Sequence, residues 1–566
     1  MAPSFGRELF HGRLRLDLVD NPPGPAHQLD DKSEAFLARL RAFCTEKVDT
    51  RQIERDARIP DEVITGLKDI GAFAIKLPTE YGGLGLSGVC YHRALMIVGT
   101  AHSALGELLG AHQAIGLIQP LRLSGTTEQK DAFLPRCVRE ISGFIMTEPD
   151  IGNDPFRMHT TAIPDGESYV LNGVKLWTTN GVLADLLVVM AMAPEGMTAF
   201  IVPGDAPGVT VEQRNSFLGL RGLENGVIRL HNVVVPAFNR IGAEGAGLDV
   251  ALGAQDTGRL SMPAVCAANA KWALKIAREW SRVRVQWDKP IGEHEAVASK
   301  IAFIAATAFA LEAMVEVTGR HADAGADTGI DAELAKLFAS EKAWQVADEL
   351  LQIRGGRGYE TAESAAARGE RGVPVEQLFR DLRIGRIFDG STEALRGFIA
   401  DAALSAEPDA DEGPDVIGTF GALAEHLQFA DRTAQELAHH LTEAKTRWGD
   451  EIAERQLFVG RVVDIAAELY AMAVSCVYAK TRTEHRETAI ELADTFCRQS
   501  HRRIAELFDR LYSNTDEPDR TAAAKVLEDR YTWLEEGILD PSIEGPWIAE
   551  PTDGPTRFPN LHRKVP

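Results

Sequence analysis

The chain has 566 residues, of which 45% are hydrophobic and 25% charged, and a formal net charge of −23. That length exceeds what one hydrophobic core can organise and predicts three or four domains of ordinary globular composition. The acidic balance excludes nucleic acid as a main partner, because neutralising phosphates takes a basic surface. No apolar run approaches the roughly 20 residues that span a bilayer, and the sequence offers no support for contact with a membrane surface. The opening MAPSFGRELFHGRLRLDL lacks the apolar core and cleavage site of a secretory signal, and Glu8 and Asp17 argue against a transit peptide. Six cysteines without metal or redox spacing, and the lack of any HExxH, predict reduced thiols, no metal site and a cytoplasmic location.

Residues 32–141 carry helical periodicity, with Ala35, Phe36, Leu40 and Phe43 on one face. Residues 92–118 are small and apolar enough for a buried pair of helices. Between these, YGGLGLSG (81–88) contains a formal GxGxxG. Without a strand–turn–helix unit around it, this reads as a tight loop rather than a dinucleotide site. Near Phe144 the period changes. Residues 169–177 read as two short strands joined by a turn at Asn172-Gly173, and strand-like runs follow at 186–190, 198–202, 209–211 and 227–235. They predict an antiparallel sheet or barrel. Helices resume after Gly247: Val265, Trp272, Ile276 and Trp280 share one face of a long helix, and further helices cover 296–324 and 331–353. AEPDADEGPD (406–415) reads as a linker. The expected fold is therefore multidomain α+β: an N-terminal helical domain (1–143), a middle β domain (144–246), a helical bundle (247–405), a linker (406–416), a second helical block (417–540) and a Pro-rich tail (541–566).

Four stretches are richer in glycine, polar groups and aromatics than packing requires. FIMTEPDIGND (144–154) sets Phe144 and Met146 beside Thr147, and LWTTNG (176–181) sets Trp177 beside Thr179. Aromatic faces with neighbouring hydroxyls suit a flat heteroaromatic ring, although a Trp in a β core beside a Thr-rich turn has the same appearance. QIRGGRG (352–358) offers backbone N–H groups and arginines to an anion, or caps a helix. In RDLRIGRIFDGSTEALR (380–396), Asp389-Gly390 breaks one helical pattern and Ser391-Thr392 caps the next. Asp389 is thus a carboxylate fixed at a break between helices, which suits a catalytic base and equally an ordinary turn.

In this order, these segments resemble the acyl-CoA dehydrogenase family over residues 4–403. MTEPDIGND resembles the family's TEP-x-x-GSD segment, LNGVKLWTTNG its NG-x-K-x-W-x-TNG strand and QIRGGRGYE its Q-x-x-GG-x-G-[YF] loop. RIFDGSTEALR resembles its R-I-[YF]-EG-[TS] catalytic segment, and the block after Asp401 resembles the long- and very-long-chain branch. The resemblance implies FAD, with Phe144, Met146, Thr147, Asn153, Trp177 and Thr179 around its isoalloxazine and Ser391 and Glu393 at the cofactor after the catalytic turn. It assigns Arg284, Trp287, Gln352, Gly355 and Gly356 to the cofactor as well, the loop and Arg284 reaching its pyrophosphate and adenosine in a neighbouring subunit, hence a homodimer or homotetramer. Arg259, Asn153 and Gly390 are placed toward the substrate, an acyl-CoA or acyl-carrier thioester. The implied reaction is α,β-desaturation, with an electron-transfer flavoprotein or O2 as acceptor.

Asp389 stands where the family has its catalytic Glu. The alternative position for a base, just before Arg259, is Gly258, so no second carboxylate is expected at the site. Asn153 replaces the Ser of the GSD segment, and Asp288 replaces the Gly that follows the aromatic matched by Trp287. Asp389 is one methylene shorter than Glu, and a displacement of about 1 Å can cost roughly a hundredfold in rate. Three outcomes stay open: desaturation with Asp389 as base; divergent flavin chemistry on the same scaffold, such as nitroalkane deprotonation or oxidation, decarboxylation or oxygenation of natural-product acids; and a catalytically silent member.

Overall fold

The computed structural model describes residues 3–20, 29–405, 409 and 413–562, apart from the side chains of 255–258. The first block consists of short helices. α1 (Phe5–Phe10) is wholly buried, and its Gly6 N–H donates to Asp331 Oδ1 at 2.6 Å. α2 (Asp31–Lys47) starts at Asp30, whose carboxylate accepts the Ser33 N–H; Phe36 and Leu40 are buried as expected, whereas Ala35 faces out. The predicted buried pair is α3 (Gly88–Ala101) and α4 (Ser103–Gly110), separated at His102, whose backbone is extended and whose Nδ1 accepts the Ala104 N–H. A single π-helical turn, Ala111–Ile115, continues α4. YGGLGLSG is a tight loop, as predicted: a Cβ on Gly83 would lie 2.1 Å from the Leu77 carbonyl oxygen.

The middle domain is one sheet of eight strands: β1 (Ser142–Ile145), β2 (Thr161–Asp165), β3 (Ser168–Thr178), β4 (Leu186–Ala193), β5 (Gly196–Pro203), β6 (Val209–Arg214), β7 (Gly226–Pro236) and β8 (Arg240–Ile241). Their order is β6-β7-β3-β2-β4-β5-β8, with β1 on β4. Two expectations are corrected here. The sheet is mixed, because β1 and β2 pair with β4 in parallel; β1 arrives from the helical block, where the Asp185 carboxylate ahead of β4 accepts the Ile141 N–H. Asn172-Gly173 is not a turn but a bulge inside the continuous strand β3. Gly173 is there for close approach, since a Cβ would lie 2.8 Å from Thr160 Cα. The β2–β3 hairpin turns at Gly166 instead.

α5 (Ser261–Val283), α6 (Glu295–Asp323), α7 (Gly329–Arg354), α8 (Val375–Leu382) and α9 (Thr392–Leu404) form the bundle after the sheet. α5 is its hub, packing on α6, α7 and α3, with Val265 and Ile276 buried. The second helical block is α10 (Ala424–Trp448), α11 (Gln456–Thr481) and α12 (Arg486–Tyr512). By composition α6 and α11 are long and apolar enough to cross a bilayer, contrary to the sequence expectation. Here, 72% and 94% of their apolar windows lie inside the protein. α11 tolerates Glu468 in that interior because Lys342, Arg503 and Ser500 surround the carboxylate. The Sγ atoms of Cys476 and Cys497 lie 3.8 Å apart between α11 and α12. Residues 406–408 and 410–412 of the expected linker fall outside the described residues, while Asp409 pairs with Arg15. The tail reaches the sheet edge, where the Leu561 N–H donates to the Val211 carbonyl at 3.0 Å.

One buried pair joins the loop after β1 to β3. Lys175 Nζ donates to Glu148 Oε1 at 2.8 Å and to the Met146 carbonyl at 3.0 Å, and the Glu148 carboxylate also accepts the His159 and Thr160 N–H groups. Both side chains are inside the protein. Lys175→Met leaves that carboxylate unpaired and is expected to cost about 3–5 kcal/mol. Denaturant titration checks this, and the Lys175→Met/Glu148→Leu double variant is expected to recover part of the loss.

Candidate active site

α8 ends at Leu382 and tightens into a 3-10 turn over Arg383–Arg386. The chain then takes two successive left-handed residues, Asp389 (φ +51°) and Gly390 (φ +87°), before Ser391 caps α9 by accepting the Ala394 N–H at 3.3 Å. The expected break between helices is present. Glycine takes the left-handed position without cost, but an aspartate there is strained by about 1–2 kcal/mol. Lys336 of α7 holds the strain in place: its buried ammonium donates to the Phe388 carbonyl at 3.1 Å and to the Gly390 carbonyl at 2.7 Å. Burial pushes the Lys336 pKa down to about 8, against the opposing pull of Asp389. Nothing in the sequence points to this clamp, because a lysine in a mixed helical stretch looks like surface.

Asp389 is exposed, and it lines a cleft. The walls are Glu107 of α4, Ala114 and Ile115 of the π turn, Ser261 and Val265 of α5, and Thr179 after β3. Burial raises the Asp389 pKa, while Lys336 and then Arg259 pull it back. Arg259 also lines the cleft and is paired with Glu333. Among the described residues the Asp389 N–H has no hydrogen-bond acceptor. Glu107 corrects the expectation that no second carboxylate reaches the site. Its carboxyl faces the cleft without a hydrogen-bond partner among the described residues, and burial, followed by the negative charge of Asp389, pushes its pKa up to about 8. The signal available in the sequence was one charged residue in the otherwise apolar LGELLGA (105–111).

Of the predicted ring-binding residues, Thr179 lines this cleft, and the segments carrying the others are joined to it through β3 and Ser391. The Leu176 N–H donates to the Thr147 carbonyl at 2.9 Å, which seats the Phe144–Met146–Thr147 segment against β3 beside Trp177. Trp177 has φ +53° and is 57% exposed, an unusual amount for an indole on a sheet. Thr179 Oγ1 accepts from Asn225 at 3.2 Å, and Asn153 Nδ2 donates to Ser391 Oγ at 3.4 Å, tying this edge to the turn. Glu393 is exposed, its carboxylate folded back onto its own N–H and toward Ser391.

Arg284, Trp287, Gln352, Gly355 and Gly356 lie elsewhere, at the far end of α5. Trp280 Nε1 donates to the Ile353 carbonyl at 3.1 Å, placing the Gly355 loop one turn from Arg284. From Val265 in the cleft to Arg284 the helix rises about 28 Å. Trp287 is 84% exposed, and a Cβ on Gly355 or Gly356 would meet no atom within 4 Å. One chain therefore carries two separate groups of predicted cofactor residues.

The family models for the acyl-CoA dehydrogenase N-terminal, middle and C-terminal domains match residues 30–140, 143–233 and 245–404, and that for the ACAD9/ACADV C-terminal domain matches 422–530. "Probable acyl-CoA dehydrogenase FadE10" of Mycobacterium tuberculosis is 52% identical over 99% of this chain and 94% of its own length. The very long-chain specific acyl-CoA dehydrogenase of Bos taurus mitochondria is 31% identical over 92% and 86%. Butyryl-CoA dehydrogenase of Megasphaera elsdenii superimposes with a TM-score of 0.62 at 29% identity, covering 67% of this chain and 99% of that one. The fold of a Bacillus anthracis acyl-CoA dehydrogenase complexed with FAD, 23% identical, matches over 93% and 95% with a TM-score of 0.75.

Lys336→Met is expected to leave two carbonyls of the turn without a donor and to destabilise the protein by on the order of 2 kcal/mol. Removing the cation also disfavours the ionised form of Asp389, so its pKa rises further. A carboxyl-carbon NMR titration of Asp389 in both proteins reads that direction.

Proposed function

The chain belongs to the acyl-CoA dehydrogenase family, and we propose that it is an FAD-dependent oxidoreductase that introduces an α,β double bond into an acyl thioester, with Asp389 as the base. The observation carrying this reading is the Asp389 carboxylate, held on a clamped turn and lining one cleft with the edge at Thr179, two residues after Trp177 of β3. That edge fits a flavin. It offers a bare indole face, a threonine hydroxyl, and the half-buried Phe144 and Met146 next to Thr147. When bound, FAD supplies the acceptor for the hydride leaving the β-carbon.

The chain's own residues handle the proton. Asp389 must be ionised to take it from the α-carbon, and Lys336 and Arg259 supply the positive potential that offsets burial. The proton becomes acidic when the thioester carbonyl gains hydrogen bonds as enolate charge develops. The Asp389 N–H, without an acceptor among the described residues, is available for that role. The apolar wall of Ala114, Ile115 and Val265 keeps water from the reacting carbons.

A homodimer is part of the reading. The cleft group and the Arg284–Gly355 group are too far apart on α5 to share one end of a cofactor, so the second group serves the cofactor of a neighbouring copy. A chain that sediments as a monomer with full FAD content counts against this part.

The test of function is anaerobic bleaching of the flavin by acyl-CoA. Asp389→Asn is expected to retain FAD and lose at least about a thousandfold in bleaching rate, within the range typical of an acid–base contribution. Asp389→Glu restores most of it where reach is the limitation. An Asp389→Asn variant bleaching at the wild-type rate overturns the assignment.

A further inference from the structure

The family reading accounts for Asp389 but leaves Glu107 unused. It is a half-buried titratable group with no hydrogen-bond partner among the described residues, and it lines the same cleft as Asp389. Resting on the proposed function, we infer that the acyl chain accepted here carries an oxygen function, a hydroxyl or keto group, at the carbon passing Glu107, and that Glu107 selects it.

A plain alkyl chain is a poor match for this wall. α4 lies close to α5, where a Cβ on Gly106 would come 3.0 Å from Val265 and one on Gly110 3.9 Å from Ser261. That contact fixes the side of α4 facing α5 and leaves Glu107 on its flank, toward the cleft. An alkyl chain lying there strips water from the carboxyl and returns no hydrogen bond, which costs on the order of 1–3 kcal/mol. A hydroxyl or a ketone repays that loss. With its pKa pushed up to about 8, Glu107 is a neutral acid at pH 7 and can donate as well as accept. A cationic substrate group is disfavoured for the same reason, since it meets no formal negative charge at Glu107.

A second polar group on the same wall agrees. Ser261 lines the cleft with its hydroxyl 3.1 Å from the Tyr91 hydroxyl, so its position is fixed from behind. An acyl channel built for hydrocarbon alone needs neither group. The remaining lining, Ala114, Ile115, Val265 and Met262, is apolar and suits the hydrocarbon on either side of the oxygen.

The test uses the FAD-loaded enzyme and acyl-CoAs of one chain length, one plain and the others bearing a hydroxyl at successive carbons beyond the β position. Anaerobic bleaching gives kcat/KM, and calorimetry on the matching non-oxidisable 3-thia analogues gives Kd. The wild type is expected to prefer one hydroxyl position over the plain chain by about tenfold or more in both readouts. In Glu107→Leu the preference inverts toward the plain chain. Glu107→Gln, isosteric and able to donate, keeps the order with a smaller ratio and guards against loss of folding. A wild type that oxidises the plain chain as well as every hydroxylated one overturns this inference and leaves the dehydrogenase reading intact. A preference unchanged in Glu107→Leu overturns it too. A wild type that bleaches with none of the series defeats both readings.

Discussion

The arrangement of this molecule depends on one buried ammonium. Lys336 bridges the carbonyls on either side of Asp389, and an aspartate at φ +51° stays put only if something outside the turn defines it. The helix that delivers Lys336 is secured along its length. Asp331, in its first turn, receives the Gly6 N–H from α1, and Lys342, further along, pairs with Glu468 of α11. On the other side of the turn, Arg396 of α9 pairs with Asp464 of α11 at 2.9 Å, and Asn153 reaches Ser391 from the β domain. The N-terminal helix, the sheet and the second helical block therefore all bear on the turn at Asp389 through the helices that flank it. The block after residue 416 has a physical role on this account: it braces both the helix carrying the clamp and the helix leaving the turn.

The cleft is lined by two carboxyls, and their surroundings act on them differently. Asp389 has two cations near it, which favour its charge despite burial. Glu107 has burial and the negative field of Asp389, both of which favour its proton. Neighbouring charge thus divides two groups of one chemical type that burial raises alike: cations oppose the rise at Asp389, and the charge of Asp389 adds to it at Glu107. The division is economical, because adding the second charge would repel the first inside the same enclosed volume.

What the sequence revealed follows from what local chemistry can announce. The break at Asp389-Gly390, the cap at Ser391 and the aromatic–hydroxyl pair at Trp177 and Thr179 are written in adjacent residues, and each stands where the structure needs it. Asn172-Gly173 carried the chemistry of a turn, but the fold uses that glycine to let β3 pass Thr160, and only the pairing partner reveals it. The parallel placement of β1 on β4 depends in the same way on where the chain enters the sheet. Glu107 and Lys336 were missed for a common reason. Each is a charged residue on a helix, which is surface by default, and each comes to line the cleft only because its helix packs against segments far along the chain.

The two groups of cofactor-type residues raise a question of length that side-chain mobility does not answer. α5 has 23 residues and is straight enough to act as a ruler of about 34 Å. Its first turn lines the cleft through Ser261, Met262 and Val265, and its last residues lead directly into Arg284. A rotamer change moves an arginine tip by a few ångströms, and the Gly355 loop is anchored to Trp280 by a hydrogen bond and by the Arg354 guanidinium stacked 4.4 Å over the indole. Neither group can therefore migrate to the other. If both serve flavin sites, as proposed, each site takes its ring-binding edge from one copy and its anion-binding loop from another. The exposed Trp287, Val283 and Tyr359 around that loop then cease to be anomalies of a single chain, since they lie where the second copy has to sit.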